Sequence, residues 1–489
     1  MNLPQTLLLC GLALAAPAFE AQQPDFSRNA AALSPAPPDP AIARALATIR
    51  AARMQETINT MVRFGTRNTL SSMETDLPPG QGINAAADWI AAQFEAISKA
   101  CGGCLEVHRD TFIADPADSD SGPWARRIPR PTRLTNIYAI LRGTDPVQAK
   151  RLYLVTGHYD SRNTNVLDDH GAAPGANDDA SGVAVSLECA RALSKLRFPA
   201  TLVFVAVAGE EQGLVGSAHL ARLAREQGWQ LEAVLNNDIV GGNTTPGDTL
   251  QLKDRVRVFS EGVPASATPE QTRRILALGQ ESDSPSRELA RAVADTARSY
   301  FAAASEPGGQ PAFSAFMVFR PDRYLRGGDH SSFNHEGFAA VRLTEWREDY
   351  NHQHQNVVMP PAGSKDPILG DLPQFVDFNY VARVARLNAA TLATLASAPG
   401  EPRNVAIDTR ELENGTTLHW DPPPGAGNDV RYEVLWRQTT APDWQYVRIA
   451  RPQAPGAGVT ITIPVSKDNV IFGVRAADGA GHRGLAVVP

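Results

Sequence analysis

Four short segments carry residues whose types and spacing suit hydrolytic metal chemistry: Thr156-Gly-His158-Tyr-Asp160, Gly175-Ala-Asn-Asp178-Asp179-Ala-Ser-Gly182, Ala208-Gly-Glu210-Glu211-Gln-Gly213 and Asn236-Asn-Asp238. Each supplies a histidine or a carboxylate. Imidazole nitrogen and carboxylate oxygen are zinc ligands, and a catalytic zinc keeps a position open for water. Two metals held about 3.5–4 Å apart can clamp the attacking and leaving oxygens of one reaction. On that inventory His158 and Asp238 suit one ion, Glu211 and a later histidine suit the other, and Asp178 suits a bridge. Glu210 is left free to take a proton from a shared water. Asp160, two residues after His158, is placed to accept the other imidazole N–H and fix the tautomer.

Singly, each segment has a plainer reading. Asn-Asp-Asp before Ala180 also reads as a helix N-cap cluster, and Glu210-Glu211 as a solvated loop. Jointly the plain reading fails, because adjacent carboxylates repel unless a cation sits between them.

The elements around these residues explain how they meet. Three of the four segments follow short apolar runs that read as buried strands: Leu152 to Thr156, Thr201 to Val207 and Leu231 to Leu235. Helical patterns at Ala180 to Lys195 and Gly216 to Glu226 alternate with them. That order predicts an α/β domain, a mostly parallel (mixed) sheet flanked by helices, with polar groups gathered at the carboxyl ends of the strands. Further helices are predicted over Ala41 to Arg63, Gly82 to Ala100, Pro285 to Ala304 and Phe375 to Ala396. Strands are predicted at Leu105 to Ile113, Leu134 to Arg142, Ser314 to Phe319 and Ala339 to Thr344. After Ala398-Pro-Gly400 the pattern changes to short alternating strands with turn residues between them, which predicts a C-terminal all-β sandwich.

The stretch from His158 to Ser217 resembles the M28 family of zinc aminopeptidases, and the likeness runs from roughly Ala41 to Ala396. The resemblance implies two zinc ions per chain. His158 and Asp238 would hold one, Glu211 and a downstream histidine the other, with Asp178 bridging and Glu210 as general base. It also implies a cis peptide between Asp178 and Asp179, and supporting roles for Asp329 and His330 in Gly328-Asp-His-Ser-Ser-Phe333. The family's Tyr-His-Thr segment, with an Asp four residues beyond the His, is replaced here by Tyr350-Asn-His352-Gln-His354-Gln-Asn356. His352 keeps the four-residue spacing to Asn356 and is taken as the last ligand; His354 is the alternative. The implied activity is removal of N-terminal residues from peptide or protein substrates with a free N-terminus. A single-zinc glutaminyl cyclase, a carboxypeptidase and a binding protein with a degenerate site are the competing readings. Residues from about Pro402 resemble a fibronectin type III domain through Leu418-His-Trp420, Tyr432 to Trp436 and Phe472 to Ala476. Docking, stability or attachment to a surface or protein partner is the role expected of it.

The chain has 489 residues, 43% hydrophobic and 20% charged, with a net charge of −7. It is long enough for more than one domain, and nothing in it makes an electrostatic footprint for nucleic acid. The apolar block Thr6 to Ala16, closing on Ala16-Pro-Ala18, reads as a secretory signal, so a secreted or periplasmic location is expected. No stretch is long and apolar enough for a transmembrane segment. Cys101-Gly-Gly-Cys104 in an exported chain predicts a local disulfide, and Cys189 a buried thiol. The expected organisation is therefore residues 1–18 signal peptide, 19–40 flexible lead-in, 41–398 peptidase-like domain and 402–489 sandwich.

Overall fold

The computed structural model describes residues 25–28, 30–119, 126–302, 312–410, 412–427, 429–454 and 456–489; the segment expected to be a signal peptide, 1–18, lies outside them. In chain order the helices are α1 (Asp25–Arg28), α2 (Pro40–Leu46), α3 (Ala51–Val62), α4 (Gly82–Ala100), α5 (Ala180–Leu193), α6 (Val215–Glu226), α7 (Pro269–Leu278), α8 (Pro285–Tyr300), α9 (His330–His335) and α10 (Phe378–Ser397). The strands of the larger sheet are β2 (Glu106–Ala114), β3 (Thr132–Leu141), β4 (Arg151–His158), β5 (Thr201–Val207), β6 (Gln230–Asn237), β7 (Arg255–Phe259), β8 (Ser314–Val318) and β9 (Ala340–Thr344). Among the described residues none forms a helix long and apolar enough to cross a membrane.

The larger sheet has the order β2-β3-β5-β4-β6-β9-β7-β8. Its four central strands, β5-β4-β6-β9, run parallel. The outer pairs β2/β3, β3/β5 and β7/β9 are antiparallel, so the sheet is mixed. Every residue of β4 and β5 is buried, as continuous apolar runs covered on both faces require. Helices α3, α4, α5, α8 and α10 contribute to the core on one face, and α6 and α9 to that on the other. From β4 the chain passes through α5 to β5 on one side, then through α6 to β6 on the other. The carboxyl end of β4 is thus a topological switch point, where open α/β sheets form their binding crevice.

Two glycines bring α5 down onto that point. A Cβ on Gly157 would lie 2.4 Å from the backbone of Gly182, and one on Gly182 would lie 2.2 Å from the Asn237 carbonyl oxygen. Only glycine at both positions lets the start of α5 cross the ends of β4 and β6 this closely.

The C-terminal region is all β: β10 (Arg403–Ile407), β11 (Thr416–Asp421), β12 (Arg431–Gln438), β13 (Tyr446–Ala450), β14 (Val459–Ile463) and β15 (Val470–Ala477). Two sheets, β10-β11-β14 and, with Ala31–Ala32 as β1, β1-β13-β12-β15, enclose a core that includes Trp420, Tyr432, Trp436 and Phe472. Strand β1 pairs antiparallel with β13. The described residues of the expected flexible lead-in up to Leu33 are therefore built into the sandwich, while Asp39 and Pro40 belong to the start of α2. The Phe26 carbonyl accepts from Trp436 Nε1–H at 2.8 Å, and Asp25 accepts from the Ser466 amide at 3.1 Å. Cys101 and Cys104 form a disulfide, and Cys189 is a buried free thiol.

Candidate metal centre

The parallel strands deliver the expected residues to one place. His158 is the last residue of β4, Glu210 and Glu211 follow β5, and Asp238 follows β6. Asp178 sits one residue before Asp179, which caps α5 by accepting from the Gly182 amide at 2.9 Å. The second Asp179 oxygen accepts from the His158 amide at 3.0 Å, so the cap also fixes the strand end. The bond between Asp178 and Asp179 is cis.

Two donor triplets result. In one, ligand atoms of His158, Glu210 and Asp238 lie within 4.8 Å of one another; in the other, those of Asp178, Glu211 and His354 do. Asp178 joins them. One of its oxygens is 3.1 Å from His158 Nε2 and the other 2.8 Å from His354 Nε2. Glu211 Oε1 lies 2.9 Å from His354 Nε2.

His354, not His352, closes the second triplet. The His352 ring stacks on Phe375 with centroids 3.5 Å apart, and its Nδ1 faces the Thr245 hydroxyl and Asn243 Oδ1, each at 3.2 Å. On an extended segment, side chains two residues apart would point the same way. In fact His354 adopts a left-handed conformation, φ 56°, and the intervening Gln353 donates from Nε2 to Asp178 at 3.0 Å. Asn356 is hydrogen-bonded elsewhere: its Oδ1 accepts from the Thr164 amide at 3.3 Å. The group beside His354 Nδ1 is instead the Arg162 guanidinium, 2.7 Å away, which also donates to Glu211 at 3.1 Å.

Asp160 is fully buried and ties the centre together. Its carboxylate lies 3.4 Å from His158 Nδ1, while its carbonyl is closer, at 3.2 Å. The carboxylate accepts from the amides of Glu210 and Glu211 at 3.2 and 3.0 Å and from the Thr69 hydroxyl at 3.0 Å. One side chain therefore sets both the histidine and the paired glutamates. Asp329 is buried against the site. The Ser217 hydroxyl approaches it, but neither carboxylate oxygen closes a hydrogen bond of good geometry among the described residues. His330 Nε2 contacts the Pro321 carbonyl at 2.8 Å and faces away from the triplets, toward Asp322 at 3.7 Å.

The electrostatics are those of a dry pocket crowded with acids. Burial pushes Glu210 well above the usual carboxylate range; Asp238, Glu211 and Asp329 add repulsion, and His158 opposes it. Burial likewise raises Asp238, despite Arg342 at 2.8 Å, and lifts Asp329 to about 7. Burial alone would raise Asp178 and lower His158. It is outweighed by their mutual attraction and by their other partners, so Asp178 falls well below, and His158 rises well above, its ordinary value. Such a cluster calls for added positive charge. His158 Nε2, Glu211 Oε1 and His354 Nε2 are buried without an in-line hydrogen-bond partner, although each lies close to another donor atom. Lone pairs crowded together but not bonded to one another fit zinc, and the nitrogen and oxygen donors are of the types it takes.

Four residues that pattern reading did not find hold this frame. Arg67, fully buried, donates to the carbonyls of Tyr159, Met61, Pro174 and Gly175, locking the β4 end to the loop before Asp178. Asp371 accepts from the amides of Asn177 and Asp178, each at 2.7 Å, and burial lifts its carboxyl to about 7. Arg162 and Arg342 are the cations beside Glu211 and Asp238. None lies at a strand end or in a repeated spacing, so no signal in the sequence singled them out.

Residues 136–362 match Peptidase family M28. A probable zinc metalloprotease of Pyricularia oryzae is 43% identical over 92% of this chain and 85% of its own length. One from Leptosphaeria maculans is 40% identical over 92% and 97%. Among solved structures, the LapA aminopeptidase of Legionella pneumophila is similar with a TM-score of 0.45, 19% identity and 73% of each chain covered. With a complete donor set at the switch point of its sheet and that extent of identity, the chain belongs to peptidase family M28 and is a zinc metallopeptidase.

Proposed function

We propose that the chain is an exported aminopeptidase with two co-catalytic zinc ions, releasing N-terminal residues from peptides or proteins. The observation that carries this is the pair of donor triplets joined by Asp178; a single-zinc cyclase needs only one. His158, Asp238 and Asp178 would hold one ion, and Asp178, Glu211 and His354 the other. Zinc, when bound, polarises a carbonyl and acidifies water. Glu210, the third member of the His158–Glu210–Asp238 triplet, is in this reading not a ligand but the base, and would accept the proton of the attacking water and return it to the leaving nitrogen. Asp160 and Asp179 hold His158 and the glutamates in place. The surplus of carboxylates, Asp329 included, favours a substrate that brings a free α-ammonium. The Cys101–Cys104 bridge supports an oxidising compartment, consistent with export by the N-terminal signal. The sandwich, of fibronectin type III kind in this reading, braces the catalytic domain and offers a surface to a partner.

Aminoacyl chromogenic amides, tested with and without a chelator and alongside their N-acetylated forms, examine the proposal. We expect cleavage of the free forms only, abolished by chelation and restored by zinc, with two zinc ions per chain by elemental analysis. Equal cleavage of acetylated substrates would remove the aminopeptidase reading, and pyroglutamate from a Gln-initiated peptide would point to the cyclase.

A further inference from the structure

We propose that a cleft beside the metal centre is a subsite for a carboxylate of the substrate, so that acidic peptides are preferred. This rests on the peptidase reading and adds the substrate class. The cleft, of about 900 Å³, is lined by Arg257, Arg320, Arg323 and Arg347 with Tyr324 and Trp346 among its walls. It adjoins the centre through a chain of contacts. Asp238 pairs with Arg342 at 2.8 Å, Arg342 reaches Asp322 at 3.5 Å, and Asp322 pairs with Arg323 at 3.1 Å. The cleft also includes Thr245 and Asp349, whose side chains bond one another next to His352.

Its charge is not balanced. Glu348 alone receives Arg257, Arg323 and Arg326, at 3.2, 2.9 and 3.0 Å. Arg347 has Asp248 at 2.7 Å. Arg320 is exposed on the cleft wall and has no ion-pair partner among the described residues; its guanidinium lies 5.6 Å from the centroid of the Tyr324 ring. Counting Arg326 with the four lining arginines gives five cations against three carboxylates, Asp248, Glu348 and Asp349. Adding the buried Arg342–Asp322 contact leaves the excess at two. Arginine forks bind carboxylates in two-point fashion, and aromatic walls hold the guanidinium planes while lowering the local dielectric. An acidic side chain and the C-terminal carboxylate of a short peptide offer the same chemistry, and both would be drawn to this excess of cations.

The test uses zinc-loaded protein and peptide sets that differ in one charge: Glu against Gln at each of the first three positions, and free C-terminal acid against amide. Binding is measured by calorimetry on Glu210→Gln, and turnover on the wild type. We expect one charged member to bind about tenfold more tightly than its neutral partner, the worth of one charge-assisted hydrogen bond. Arg320→Ala should abolish that difference and leave neutral peptides unchanged, while Arg320→Lys retains most of it. A preference that follows the side chain identifies one source of the carboxylate, and one that follows the C-terminus the other. Equal binding of charged and neutral partners, or an Arg320→Ala loss shared by both, overturns the subsite even if peptides are cleaved. Absence of any cleavage of free N-termini would instead defeat the aminopeptidase reading, and the calorimetry would still decide the subsite.

Discussion

At the scale of single residues, the choice between two histidines two positions apart decides which ring would hold the second zinc of the proposed pair. Spacing favours His352, but spacing ignores backbone handedness. His354 turns at φ 56° and lies within 3 Å of both Asp178 and Glu211, while His352 packs flat on Phe375. His354→Ala is expected to lower zinc from two ions per chain to about one and to cut kcat/KM by at least ~100-fold, the scale of losing a metal ligand or a group that orients it. His352→Ala should keep both ions and cost stability through the lost stack. Metal analysis of the two variants side by side checks this, and a zinc deficit in His352→Ala alone would reverse the assignment. Glu210→Gln should retain zinc and lose at least ~100-fold in kcat with KM little changed, as removal of a general base implies. A drop in zinc content there would make Glu210 a ligand rather than a base.

At the scale of elements, the site depends on α5 lying against the ends of β4 and β6. Gly182→Ala forces a Cβ to within 2.2 Å of the Asn237 carbonyl and 2.3 Å of Asp179. The start of α5 must retreat, carrying Asp178 and Asp179 with it. Overpacking of this kind costs about 1–3 kcal/mol, and we expect weaker zinc binding together with a lowered unfolding midpoint. An Ala variant with unchanged zinc affinity would show that the close approach is not what sets Asp178. This element logic was largely legible in the sequence: the apolar runs of β4, β5 and β6 and the polar residues that end them announce a parallel sheet with its site at one edge. Other elements were not. Helix α7 buries no residue, so the core does not require it, and its signals are local ones: the Thr268–Gln271 capping box and Pro269 in its first turn. The long helical pattern at 41–63 breaks into α2 and α3, whose separation rests on tertiary packing of Leu46 and Ile49 in the core. Arg67 and Asp371 act through carbonyl and amide groups far away in sequence, and backbone partners leave no imprint on residue spacing.

At the scale of the whole molecule, the sandwich and the catalytic domain are joined by charge. His482 of the sandwich contacts Asp478 and reaches Asp39, the cap of α2, at 3.1 Å. The Asp478 hydrogen bond, against some desolvation and with help from Asp39, raises the histidine's pKa. A raised folded-state pKa means stability that is fully present below the unfolded value, about 6.5, and is lost as pH rises through the folded one. The difference in unfolding midpoint between wild type and His482→Gln should therefore be largest near pH 6 and shrink above neutrality; a difference that grows with pH would contradict the sign. Deeper in the seam the pairing is dry. Asp283 of the catalytic domain takes Arg291 from its own side and Arg437 from the sandwich, all nearly inaccessible to water. Trp444 Nε1–H donates to Glu288 at 2.9 Å, and Arg291 donates to the Pro442 carbonyl at 2.8 Å. Burying a carboxylate and then removing one of its cations is costly, about 3–5 kcal/mol. Arg437→Ala should thus lower the unfolding free energy, read from denaturant titration, by an amount of that order. Because α8 carries Glu288 and Arg291 and also packs into the catalytic core, the loss should appear in a single cooperative transition rather than as early release of the sandwich. Two separated transitions in Arg437→Ala, with zinc-dependent activity surviving the first, would mean that the catalytic domain stands without its brace.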